Sequence, residues 1–132
     1  MSHKDFNTPS ILIQDIMARA LISVNTSTTA LQIAKMMEQG GIGAIIVKEN
    51  DAPKGIVTDR DFATKIAANS LSLDTTAEKI MSSPLITINH NEPISAAAER
   101  MTDKKIRKLA VTENGKIIGL ITSTDLVTQL AK

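Results

Sequence analysis

The chain has 132 residues, 42% of them apolar and 22% charged, with a formal net charge of +1 and no cysteine, tryptophan or tyrosine. That length suits one compact domain of two halves rather than two independent domains; no apolar run approaches the roughly 18–20 residues of a membrane span; and a near-neutral chain supplies no global field for nucleic acid. Composition also excludes disulfides, thiolate nucleophiles and thiolate metal sites, and with Phe6 and Phe62 as its only aromatics the chain lacks the stacking platforms of single-strand binders.

In chain order, Met1–Phe6 lacks the basic-then-apolar pattern of a secretory signal, so a cytoplasmic location is expected. Ile22-Ser23-Val24 reads as a short strand, and Ala30, Ile33, Ala34 and Met37 follow at the spacing of one helix face. Gly40-Gly41-Ile42-Gly43 follows that helix and precedes a strand, the wrong order for a phosphate loop, and reads as helix termination by glycine with Ile42 packing back. Ala44–Val47 and Gly55–Val57 form a hairpin around a loop containing Asp51-Ala52-Pro53, and a closing helix starts after Thr58. Leu71–Asp74 is the connector, and Thr75-Thr76-Ala77-Glu78 after it is a capping pattern.

The same elements then recur. Ile86-Thr87-Ile88 is a strand, and Asn91-Glu92-Pro93 starts a helix with the stripe Ile94, Ala97, Ala98 and Met101. Leu109–Val111 and Ile117–Ile121 flank the turn dipeptide Asn114-Gly115, and another helix follows Thr122. Residues 16–61 align on residues 80–125 without a gap, at an offset of 64 and with 14 identities in 46 positions. Two copies with nothing left over predict an α/β fold of two strand–helix–strand–strand–helix units, each covering the other's apolar surface.

Both copies end in glycine, two aliphatic residues, Thr-x-x-Asp: Gly55 to Asp61 and Gly119 to Asp125. Thr58/Asp61 and Thr122/Asp125 lie where a strand ends and a helix begins, and two readings fit. Threonine with an acidic residue three positions on is nearly a capping box and needs no ligand. An aspartate beside the exposed N–H groups of a helix start can instead accept hydrogen bonds from a vicinal diol, while the threonine hydroxyl and helix dipole favour a phosphate. Lys104, Lys105, Arg107 and Lys108 form one local basic cluster, read as a solvated strand edge or as a nucleic-acid contact. His3 and His90 are isolated, which leaves no histidine-based metal site or acid–base pair in the pattern.

Ile42–Val47 with Gly55–Phe62, and Lys105–Val111 with Gly119–Leu126, resemble the two halves of a CBS-domain pair, the family named for the regulatory region of cystathionine β-synthase. The resemblance covers residues 10–130, with repeats at 10–68 and 74–132. It implies two βαββα units packed as a pseudo-twofold pair, with two clefts for adenosine-containing ligands. In one cleft it puts Asp61 on the ribose, Thr58 near the phosphate, Ile56, Ile86, Ile106 and Ala110 around the base, and Arg107 on the phosphates. In the other, Asp125 takes the ribose, Thr122 the phosphate side, Ile22, Ile42 and Leu120 the base, and Arg60 the phosphates. The chain departs from the family at Ala110, where proline is frequent, and between copies at Gly43-Ala44 against Arg107-Lys108. Those departures imply unequal clefts, with the Thr58/Asp61 cleft expected to be the tighter.

The function that follows is a stand-alone regulatory module that binds AMP, ADP or ATP without catalysis or a resident cofactor. It is expected to form homodimers through Phe62, Ala63 and Ile66 and through Leu126, Val127 and Leu130, and to act on a protein target without a membrane. The alternatives are a ligand-free dimerisation module and nucleic-acid binding through residues 104–108.

Overall fold

The computed structural model describes residues 10–131, so His3, Phe6 and the stretch read for a targeting signal lie outside the described residues. Two three-stranded sheets form, one of β1 (Ser23–Asn25), β2 (Ala44–Glu49) and β3 (Ala52–Thr58), the other of β4 (Thr87–Asn89), β5 (Lys108–Glu113) and β6 (Lys116–Thr122). In each, the first pair is parallel and the second antiparallel. The parallel pairs are joined by the crossover helices α2 (Ala30–Gly40) and α5 (Ile94–Lys104). Short helical turns α1 (Ile13–Ile16) and α4 (Ala77–Ile80) precede the two sheets; both fall outside the periodic stripes, and only α4 was signalled in the sequence, by the capping pattern at Thr75–Glu78.

The chain divides into two compact units whose membership crosses the repeat ranges 10–68 and 74–132. Residues 20–86 form one unit, and residues 10–19 join residues 87–131 in the other. Each sequence copy therefore lends its first helical turn to the other copy's unit. In unit 20–86 the core comprises Ala30, Ile33, Ile45, Val47, Val57 and Ile66, closed by Ala77 and Ile80 of α4. In the other unit Ile13, Leu109, Val111 and Ile121 are fully buried, as α4's Ile80 is in the first.

The lent segments explain a repeated glycine. Ile56 and Ser82 exchange backbone hydrogen bonds of 3.0 and 2.8 Å, and Leu120 and Ala18 exchange bonds of 2.9 and 2.8 Å. A Cβ on Gly55 would lie 2.7 Å from the Ser82 carbonyl and 2.9 Å from the Met81 sulfur; on Gly119 it would lie 2.7 Å from the Ala18 carbonyl and 2.8 Å from the Met17 sulfur. Only glycine admits the crossing segment at that distance.

Several local expectations need correction. The first hairpin turns at Asn50-Asp51, both with positive φ, and Pro53 lies within β3 opposite Lys48, where the register shifts. The Thr75-to-Glu78 capping pattern makes no side-chain cap, because Thr76 is the N-cap. The Ala77 and Glu78 N–H groups are satisfied instead by the Thr28 and Thr26 carbonyls, at 2.7 and 3.1 Å. The closing helix of the first copy is α3 (Asp59–Asp61), which runs on as a π-helix over Phe62–Ala67; the second is the regular α6 (Ser123–Leu130). Ile66, expected on an exposed apolar face, is buried in the core against α4, while Ala63 is exposed. Gly41 ends α2 in the left-handed region at φ +62°, and the Ile42 N–H returns to the Met37 carbonyl at 3.1 Å, as the glycine signal indicated.

Candidate functional site

Both Thr-x-x-Asp motifs sit at the junction of the last strand with the closing helix, Thr58 ending β3 and Thr122 ending β6. Extended threonines, at φ −120° and −122°, turn the chain into the helix, so each aspartate occupies the third helical position and faces back along the strand. The Thr58 N–H donates to Asp61 Oδ2 at 2.8 Å and the Thr122 N–H to Asp125 Oδ2 at 2.9 Å. The capping role that the spacing allowed is thus present in both copies, and the junctions share a carboxylate held at a helix start.

Beyond that bond the copies part. The Asp61 carboxylate also accepts from the Thr58 hydroxyl at 3.2 Å and, through Oδ1, from the Ser82 hydroxyl at 2.9 Å. Lys65 lies 3.1 Å from the same Oδ1. Its ammonium also donates to the Ile80 and Met81 carbonyls at 2.9 and 3.0 Å, joining Asp61 to the end of α4. Asp61 is only 3% exposed. Asp125 is half-buried, and among the described residues the Thr122 N–H is its one hydrogen-bond donor; the Thr122 hydroxyl accepts from the Asp125 N–H at 3.2 Å instead.

The other residues picked out by sequence distribute by unit. In unit 20–86, Ile56 adjoins Asp61 through Ser82, and Ile22 lies just before β1 with its carbonyl accepting from Ile46. Ile42 and Ile86 are half-buried, Ile42 after α2 and Ile86 at the unit's end, and the Arg60 side chain is exposed beside Asp61. In the other unit, Leu120 pairs with Ala18, the Arg107 carbonyl receives the N–H of Ser123 at the start of α6, and the Arg107 side chain is exposed. Ile106 is half-buried and Ala110 fully buried on β5. Lys104 and Lys105 close α5 and are exposed. His90 is held by Gln14 and lies 3.4 Å from Glu113. Among the described residues no cluster of His, Asp or Glu could hold a metal ion, and no helix is long and apolar enough to cross a membrane.

Two site residues escaped sequence reasoning. Lys65 had a signal, since it lies four residues after Asp61. Ser82 had none, being brought to Asp61 by the β-bridge with Ile56. A cleft of about 520 Å³ in unit 20–86 is lined by Asn25, Gln32, Lys48 and Asn50 among others. It opens at the hairpin end of the sheet, where Lys48 pairs with Pro53, whereas Thr58 pairs with Ala44 at the opposite end.

The family signature described as the CBS domain matches residues 13–68 and 77–132. An uncharacterised protein of Methanopyrus kandleri is 36% identical over 121 residues, which is 89% of this chain and 62% of that protein; the chain thus spans less than two thirds of that relative. The crystal structure of an uncharacterised conserved protein from Pyrococcus horikoshii superposes with a TM-score of 0.87 at 27% identity, covering 93% of this chain and 94% of the other. The CBS domain pair of protein MJ0100, solved in complex with 5′-methylthioadenosine and S-adenosyl-L-methionine, superposes with a TM-score of 0.83 at 25% identity, covering 93% and 98% of the two chains.

Proposed function

This chain belongs to the CBS-domain family, and from that premise we propose that it is a regulatory module that binds an adenosine-containing ligand, an adenine nucleotide such as AMP, ADP or ATP in the first instance. The observation that carries the reading is the duplicated junction in which a threonine at a strand end holds an aspartate at the start of the next helix. A carboxylate placed there can accept both hydroxyls of a ribose, and the guanidinium groups of Arg107 and Arg60, both exposed, are of a kind that can meet phosphate. The ligand complex of the similar MJ0100 pair supports adenosine as the common element. Nothing in the reading needs catalysis, a cofactor or nucleic acid; a cytoplasmic protein target receives the signal when ligand favours one arrangement of the chain over another.

Thermal melting in the presence of AMP, ATP, S-adenosylmethionine and 5′-methylthioadenosine tests the reading. A compound present at a hundred times its Kd should stabilise the fold by about 2.7 kcal/mol, seen as a raised Tm. Unchanged melting with all four overturns the ligand reading and leaves the junctions as helix caps.

The module is also proposed to be a homodimer. Val127 and Leu130 on α6 are 63% and 85% exposed, an apolar pair suited to a second copy. Light scattering should find dimers at micromolar concentration and monomers for Leu130→Asp, which would put an unpaired charge into the contact. A wild-type monomer overturns the assembly.

A further inference from the structure

The two Thr-x-x-Asp junctions are equivalent in sequence and unequal in chemistry. A carboxylate offers about four acceptor positions. Asp61 meets four donors, namely the Thr58 N–H, the Thr58 hydroxyl, the Ser82 hydroxyl and the Lys65 ammonium, and it is 3% exposed. Lys65 is itself held in place by the Ile80 and Met81 carbonyls and lies 3.4 Å from the Ser82 hydroxyl, so it cannot swing away without leaving α4's last carbonyls short of a donor. In the other copy, an offset of 64 puts Gln129 where Lys65 stands and Ala18 where Ser82 stands. Neither can supply that ammonium or that hydroxyl, and Asp125 keeps one carboxylate oxygen without a donor among the described residues.

We infer that Lys65 and Ser82 withdraw Asp61 from ligand binding, so that the first junction clamps the fold together and the second, at Asp125, takes the ribose. This inference rests on the adenosine-ligand reading above and reverses the order of affinity expected from the sequence, in which the Thr58/Asp61 cleft was the tighter. For a diol to reach Asp61 it must displace the Ser82 hydroxyl and compete with an ammonium already in contact, and both displaced groups are partners of a buried charge. At Asp125 the same diol meets a carboxylate oxygen from which no donor among the described residues has to be displaced. The copies have thus divided the labour of a shared motif through two substitutions that lie outside it.

The test uses the full chain and two probes, AMP and 5′-methylthioadenosine. Calorimetric titration should give one site per chain for the wild type, lost or weakened by about tenfold or more in Asp125→Ala and retained in Asp61→Ala. The double variant Lys65→Gln with Ser82→Ala, which gives the first junction the residues of the second, should take two ligands per chain. A wild type with two equal sites, or one whose site is lost in Asp61→Ala and kept in Asp125→Ala, overturns the inference and leaves the ligand reading standing. No binding of either probe to any of these proteins overturns the ligand reading and this inference with it. Should the double variant fail to fold, carbodiimide-driven labelling of the wild-type carboxylates decides independently: Asp125 should label and Asp61 stay protected, and equal labelling overturns the clamp.

Discussion

Gly55 and Gly119 show how a single missing Cβ can hold two segments together. Both fit beneath a crossing segment whose carbonyl would stand 2.7 Å from a methyl group, and a backbone atom cannot step aside as a flexible side chain can. Gly119→Ala is expected to destabilise the chain by roughly 1–3 kcal/mol, the ordinary cost of overpacking a closed site. Chemical denaturation measures it, and an unchanged midpoint would mean that residues 17–18 do not sit against β6. The glycine was legible as a repeated residue before the two aliphatics and the threonine, but its reason was not, because the atoms it admits come from a segment more than a hundred positions away in one case and some twenty-seven in the other. Asp61 and Asp125 were legible in the same partial way. Their spacing from threonine announced a helix start; the donors that separate them, Lys65 and Ser82, come from the closing helix and the crossing segment.

At the scale of elements, the copies comment on each other's turns. Gly41 ends α2 at φ +62°, while its counterpart Lys105 ends α5 at φ +56°; Gly115 turns the second hairpin at φ +79°, while its counterpart Asp51 turns the first at φ +66°. At these two pairs of left-handed positions, each copy has glycine at one and a side chain at the other. Lys105→Gly and Asp51→Gly should therefore each raise stability, by up to about 1 kcal/mol, because relief of the left-handed penalty exceeds the added freedom of glycine in the unfolded chain. Two lowered melting temperatures would contradict the argument. These positions also explain which turns could be read in advance. Asn114-Gly115 is a favoured dipeptide for a tight hairpin, whereas Asn50-Asp51 is a costlier version of it, and the nearby Pro53 drew the expected loop two residues too far along. The strands β1 and β4 were each expected one residue early, since Ile22 and Ile86 fit the apolar pattern but the ladder begins at Ser23 and Thr87.

For the molecule as a whole, the repeat boundary and the folding boundary differ, and the difference can be measured. The gapless alignment assigns Ile16-Met17 to the first copy and Ile80-Met81 to the second, and nothing in identical residues says which glycine each methionine covers. The contacts answer it: Met81 lies over Gly55 and Met17 over Gly119, so each unit is completed by residues from the other copy. A fragment of residues 20–86 carries three strands, their crossover and closing helices, and the Ala77 and Ile80 that close the core. A fragment of residues 10–68 has the same sheet without that closure. Losing the fully buried Ile80 alone removes about 1.5–3 kcal/mol of burial. The 10–68 fragment also loses the Ile56–Ser82 bridge and the ammonium contacts of Lys65 with α4. A chain of that size has a net stability of roughly 5 kcal/mol, so these losses are enough to unfold it. Circular dichroism should therefore show a cooperative thermal transition for fragment 20–86 and none for fragment 10–68. The opposite result would place the folding unit within one sequence copy and make the lent helical turn an ornament of the fold rather than its closure.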